Sequence, residues 1–219
     1  MLEQFFLGGP MMYPLMGCSI LALAVIFDRM SAFYRYSRHD ARALRAEIRT
    51  RLEEGRDEDA MTLCASTPGP VAAVLLVGLM TYDKLKKAQE PAASIRDLVN
   101  KAMEDYYNHA MSSVEKRFNI LSMVGMSAPL FGMTGTVSGM IKSFDAMSQA
   151  ASLDNSLVAA GISEALITTA WGLVIALIAV IPWNFFTQRS EQIGLQIEEA
   201  STELTEYVGH LARKASAPQ

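Results

Sequence analysis

Three stretches of the chain carry no charged residue for long enough to cross a bilayer: Gln4 to Phe27, Phe118 to Ile141 and Ala165 to Gln188. A spanning helix needs about 20 predominantly apolar residues. The second and third stretches have 24 each, which at 1.5 Å per residue is about 36 Å and leaves room for tilt. Val71 to Met80 is also apolar, but ten residues are too few to span, which predicts a short buried or interfacial helix.

The charged stretches also read as helix. Asp40 to Glu54 places Leu44, Ile48 and Leu52 four residues apart, an amphipathic pattern that Gly55 ends. Asp57 or Asp59 starts a further helix, which stops at Thr67-Pro68-Gly69-Pro70. From Ser94 the pattern meets no breaker before the second span, which predicts about 50 residues of near-continuous helix. The tail from Glu191 aligns Ile193, Ile197, Leu204, Val208 and Leu211 on one stripe, so the third span extends beyond the membrane too. No segment reads as strand. The fold class is an all-α integral membrane protein with three transmembrane helices, the second and third extended into a cytoplasmic helical bundle.

Charge orients these spans. Of 19 Lys and Arg residues, 15 lie between Arg29 and Arg117, and none precedes Arg29. The connection between the second and third spans has only Lys142, while the tail has Arg189, Arg213 and Lys214. By the excess of basic residues on the cytoplasmic side, the N-terminus is periplasmic, and residues 29–117 and 189–219 are cytoplasmic. The expected divisions are 1–28 for the N-terminus and first helix, 29–117 for a cytoplasmic helical domain, and 118–188 for two further spans. A short periplasmic loop near 143–160 joins those two spans, and 189–219 forms a C-terminal helix. The absence of Lys and Arg from Met1 to Phe27 argues against a cleavable secretory signal and for a retained anchor.

Composition narrows the function classes. Half the chain is hydrophobic, charged residues make up 19%, and the net charge of −4 argues against nucleic-acid binding. Cys18 and Cys64 suggest neither a disulfide framework nor a metal site. His39, His109 and His210 lie in charged stretches without metal-ligand spacing. Ser163 precedes Glu164, but no His or Lys lies within a span to act as its base, so no hydrolase is expected and no cofactor is implied.

The second and third spans are not uniformly bulky. Gly125, Ala128, Pro129, Gly132, Gly135, Thr136, Gly139 and Ser143 share one face, opposite Met126, Leu130, Val137, Met140, Ile141 and Phe144. In the third span Gly161, Glu164, Ala165, Thr168, Thr169, Gly172, Ala176 and Ala179 form a similar stripe. Small residues on one face let helix backbones approach closely, so the stripes read either as a packing seam or as the wall of a pore. A transmembrane Thr commonly bonds the carbonyl one turn back. An intramembrane carboxyl is costly unless it meets water, a partner or a proton, so Glu164 reads either as a functional group or as a solvated first-turn acid.

The run from Ala128 to Ile141 (APLFGMTGTVSGMI) resembles the second-helix signature of the MotA/TolQ/ExbB proton-channel family, and Gly161 to Leu173 (GISEALITTAWGL) resembles its third. Gly8-Gly9-Pro10, Met12-Tyr13-Pro14, Ser19-Ile20 and Asp28-Arg29 resemble the first helix of ExbB-like members. Phe131, Met133 and Thr134 stand where the family typically has leucine, and Asp28 where it more often has Glu. The resemblance implies a homopentamer in the bacterial inner membrane around a dimer of a single-span ExbD/TolR-like partner, with lipid outside. Thr136, Glu164, Thr169 and the adjacent Thr168 would then lie along an ion path, with Gly132, Gly135, Gly139, Gly161, Gly172 and Pro129 packing around it. Protons, with sodium as the alternative, would drive an output through a TonB-like effector or, in a TolQ-like role, envelope integrity. A non-conducting scaffold for a single-span partner is the competing reading.

Overall fold

The computed structural model describes residues 8–37, 41–149 and 155–216. Every regular element among them is helical: α1 (Met12–Ser37), α2 (Ala41–Glu53), α3 (Asp57–Ser66), α4 (Pro70–Lys87), α5 (Ala92–Glu115), α6 (Phe118–Gln149) and α7 (Asn155–Ser216). Three helices, α1, α6 and α7, are long and apolar enough to cross a membrane. The chain is an all-α membrane protein.

Helix boundaries differ from the sequence expectation in four places. Gly8 to Met11 form a turn rather than helix, and α1 then continues ten residues past Phe27. The expected helical residues Gln4 to Leu7 lie outside the described residues, as do Arg38 to Asp40. α4 outruns its apolar core of Val71 to Met80, because Pro70 at its first turn is compatible with helix and Lys84, Lys86 and Lys87 suit its C-terminal dipole. Much of the expected 143–160 loop is helix, since α6 reaches Gln149 and α7 starts at Asn155.

The fourth difference corrects the near-continuous helix from Ser94. α5 begins after Pro91 and ends at Glu115, and α6 begins anew at Phe118, so the second span does not run on into the preceding helix. Arg117 adopts φ +72°, a left-handed conformation uncommon for a residue with a Cβ. Its guanidinium Nη1 lies 2.8 Å from Asp28 Oδ2, which Arg29 Nη2 also reaches at 2.6 Å. The break carries neither a glycine nor a proline. α7, by contrast, runs through 62 residues without interruption, with Pro182 inside it.

The chain divides into two compact units. The first comprises Met1–Arg29 and Arg117–Phe186; the second comprises Met30–Lys116 and Thr187–Gln219. In the first, α1 buries Met12, Leu15, Ala22 and Val25, and the Phe118 and Phe186 rings stack with centroids 6.0 Å apart. The second has a core of bulky side chains: Leu75 and Leu79 of α4, Val99 and Met103 of α5, and Ile197, Leu204 and Val208 of α7. Leu44, Ile48 and Leu52 seal α2 onto it as their spacing predicts. Cys64 of α3 is buried in this core, which pushes its thiol up to about 12. Lys86 Nζ donates to Asp57 Oδ2 at 2.5 Å, and that bond holds the ammonium above its ordinary value.

Candidate functional site

Within the first unit α6 and α7 meet along the stripes of small residues. A Cβ added to Gly132 would lie 3.0 Å from the Cα of Thr169, and one on Gly139 would lie 3.0 Å from the Cβ of Ala165 and 3.1 Å from the Gly161 carbonyl. On Gly172 it would lie 2.7 Å from the Ala128 carbonyl, and on Gly161 it would overlap Ser143 Oγ. Gly135 faces the Thr168 side chain, whose Cγ2 would be 2.6 Å from an added Cβ. The contacts run antiparallel, Ser143 opposite Gly161 at one end and Gly125 opposite Val180 at the other. The glycines therefore join α6 to α7 inside a single chain, by backbone approach that any larger side chain would prevent.

The polar groups of the two stripes fall on different sides of this seam. Thr168 is 1% exposed and sits inside it. Its hydroxyl donates to the Gly8 carbonyl at 2.6 Å, with its own helix's Glu164 carbonyl 2.9 Å away. Thr169, half-buried, donates across the seam to the Gly132 carbonyl at 2.9 Å. Thr136, also half-buried, lies at the edge of the seam on α6 and donates to Met133 of its own helix at 2.6 Å. Pro129 flanks it one to two turns back and is half-buried too, and lacks the N–H that would otherwise donate to the Gly125 carbonyl.

Glu164 is half-buried on the edge of α7 about 140° around the helix from Thr169, as five residues at 100° each dictate. Its side chain lies against the Gly8–Met11 turn: a Cβ on Gly9 would overlap Glu164 Oε1 and come within 2.8 Å of Cδ. The structure thus brings together Glu164, Thr168, Gly8 and Gly9 on one flank, and Thr169, Gly132 and Gly172 in the seam. Thr136 stands apart on α6 and meets its own backbone.

Sequence reasoning used Gly8 and Gly9 only as part of a resemblance and assigned them no contact. The available signal was two adjacent glycines before a proline, opening a charge-free stretch. Asn184 was also passed over; it is exposed on α7 within the third span and donates to the Val180 carbonyl at 3.0 Å. Among the described residues no group of three or more His, Cys, Asp or Glu side chains is placed to hold a metal ion.

The faces away from the seam are apolar and exposed: Met126, Leu130, Met133, Val137 and Ile141 on α6, and Leu166, Leu173, Leu177 and Ile181 on α7. Such faces suit lipid or other membrane helices.

The chain is similar to known membrane proteins. The model of the MotA/TolQ/ExbB proton channel family matches residues 68–199. An ExbB-like biopolymer transport protein of Synechocystis sp. is 27% identical over 195 residues, covering 88% of this chain and 72% of that protein. The Tol-Pal system protein TolQ of Pseudomonas aeruginosa is 31% identical over 189 residues, covering 83% of this chain and 79% of that one. The biopolymer transport protein ExbB of Neisseria meningitidis is 23% identical over 190 residues, with 85% and 84% covered.

Proposed function

This chain belongs to the MotA/TolQ/ExbB proton channel family, and from that membership we propose that it is the channel-forming stator subunit of an ion-driven motor in the bacterial inner membrane. One observation carries the reading. A tightly closed α6–α7 seam, bridged by the half-buried Thr169 hydroxyl, leaves a second half-buried hydroxyl, Thr136, and one carboxyl, Glu164, at its edges inside otherwise apolar spans. Intramembrane polar groups are retained at a cost, and an ion path is the use that offsets it.

In this reading the subunit is not an enzyme and needs no cofactor; the proton is its cargo. Copies of the chain, five by family analogy, surround a dimer of an ExbD/TolR-like single-span protein. A carboxyl brought by that partner relays protons with Glu164, while the two threonine hydroxyls, whose hydrogens go to the Met133 and Gly132 carbonyls, offer acceptor lone pairs along the route. The N-terminus is periplasmic and the C-terminus cytoplasmic, following the basic residues. The output is of ExbB type, energising uptake through a TonB-like effector. A TolQ-type role in envelope integrity is the second reading, favoured by the 31% identity to TolQ.

The test substitutes Thr136→Ala, Thr169→Ala and Glu164→Ala singly in the full-length protein with its partner. Each is expected to keep the assembly and to lower proton-driven activity about tenfold or more. Full activity in all three would leave a non-conducting scaffold, a role the burial of Thr168 and the glycines in a purely intrachain seam also suits.

A further inference from the structure

The turn before α1 carries a requirement that its sequence context does not explain. Gly9 has φ +68°, the left-handed region that favours glycine. Its missing Cβ is the second constraint, because that volume is filled by the carboxyl of Glu164 from the far side of the sequence, with Oε1 overlapping and Cδ and Cγ at 2.8 and 3.3 Å. The third is the bond from Thr168 Oγ1 to the Gly8 carbonyl, which ties the turn to α7 across 160 residues of sequence. The turn also starts its own helix, since Met12 N–H donates to the Gly9 carbonyl at 3.2 Å.

Both links reach the same turn of α7. The Thr168 hydroxyl that holds Gly8 sits 2.9 Å from the Glu164 backbone carbonyl, and the Glu164 side chain lies on the neighbouring glycine. A carboxyl with ordinary freedom on a helix surface samples several rotamers; this one lies directly on the Gly9 backbone, in the volume that a methyl group there would take. Gly17 of α1 provides a contrast, as a Cβ there would meet nothing within 4 Å.

We propose that the Gly8-Gly9 turn is a positioning element for Glu164: it fixes and partly covers the carboxyl, Gly9 by its closeness and Gly8 through its bond to Thr168. The geometry stands by itself, while its consequence for activity rests on the ion-path reading of Glu164. A carboxyl that takes up and releases a proton in every cycle must meet its proton donor at hydrogen-bond distance, so displacement by a methyl group slows each transfer.

Two readouts in the full-length protein test this. The first is the rate at which dicyclohexylcarbodiimide, a hydrophobic carboxyl reagent, modifies Glu164 in native membranes, read by mass spectrometry. Gly9→Ala, and independently Thr168→Val, are expected to raise that rate about fivefold or more by uncovering the carboxyl, and Gly17→Ala to leave it alone. The second is a double-mutant cycle on proton-driven activity. Gly9→Ala is expected to cost about tenfold beside Glu164 but under about threefold in the Glu164→Asp background, whose shorter side chain stops one methylene short of the new methyl.

Unchanged labelling in both Gly9→Ala and Thr168→Val overturns the proposal. So do equal losses in the two backgrounds, because backbone strain at Gly9 would then account for the whole effect. Labelling that responds while Glu164→Ala retains full activity upholds the positioning and removes the ion path instead.

Discussion

Along α6 and the first half of α7 the backbones meet over glycine, alanine and hydroxyl side chains, whereas α4, α5 and the second half of α7 meet over leucine, valine and methionine. The difference reflects the solvent each region is built for. Between helices in lipid there is no hydrophobic gain, since acyl chains are as apolar as leucine, and association relies on close approach and interhelical hydrogen bonds such as Thr169 to Gly132. In water the gain comes from apolar area removed from solvent, so bulky side chains such as Leu75, Leu79 and Met103 are favoured. One continuous helix, α7, is written in both styles.

The sharpest break of this contrast is to place a core residue in the seam. Gly139→Leu sets a side chain where even a Cβ has backbone at 3.1 Å, and neither partner can retreat. It is expected to part α6 from α7 and reduce membrane-resident protein about tenfold or more, measured by immunoblot and by protease resistance of the spans.

The reciprocal change shrinks the core. Leu75→Ala, at a position 2% exposed, leaves a cavity and is expected to cost about 2–5 kcal/mol. Thermal unfolding of the detergent-solubilised protein reads the loss, while the seam stays closed because none of its contacts changes. Losses of equal size with an opened seam would show that the two regions do not fold by separate rules.

The smallest effect is a titration confined to the core. Burial first, against a weaker pull from Arg51, pushes the Cys64 thiol up to about 12. A thiol whose folded value is raised contributes stability that is present below its unfolded value of about 8.5. That contribution is lost as the pH climbs from there toward 12. Unfolding scans from pH 8 to 11 should therefore fall more steeply with Cys64 present than in Cys64→Ala, with seam contacts indifferent to pH over the same range.

Much of this architecture was legible in the residues. Charge-free length gave the three spans, the four-residue spacing of Leu44, Ile48 and Leu52 gave the sealing face of α2, and the small-residue stripes left a packing seam and a pore wall as alternatives. Three features were not legible, for physical reasons. The break at Lys116-Arg117 carries no glycine or proline, and the Arg117 guanidinium there meets Asp28, 89 positions earlier. Thr168 and Thr169 look alike in sequence, yet 100° of helix rotation sends one hydroxyl to Gly8 and the other to Gly132. The Gly9–Glu164 contact joins groups whose pairing no local period encodes.

The uninterrupted ladder of α7 limits how this chain can change in length. Within the first unit its buried positions form one series, Ala165, Thr168, Ala179 and Phe186, and within the second another, Ile197, Leu204 and Val208. One residue inserted inside either series turns its later members by about 100°, and only insertions near seven or eleven residues restore the phase. At Lys116-Arg117, between α5 and α6, no helical ladder runs on. Length variation is therefore cheaper there than within α7, so insertions and deletions in divergent copies should gather at that junction and spare the long helix.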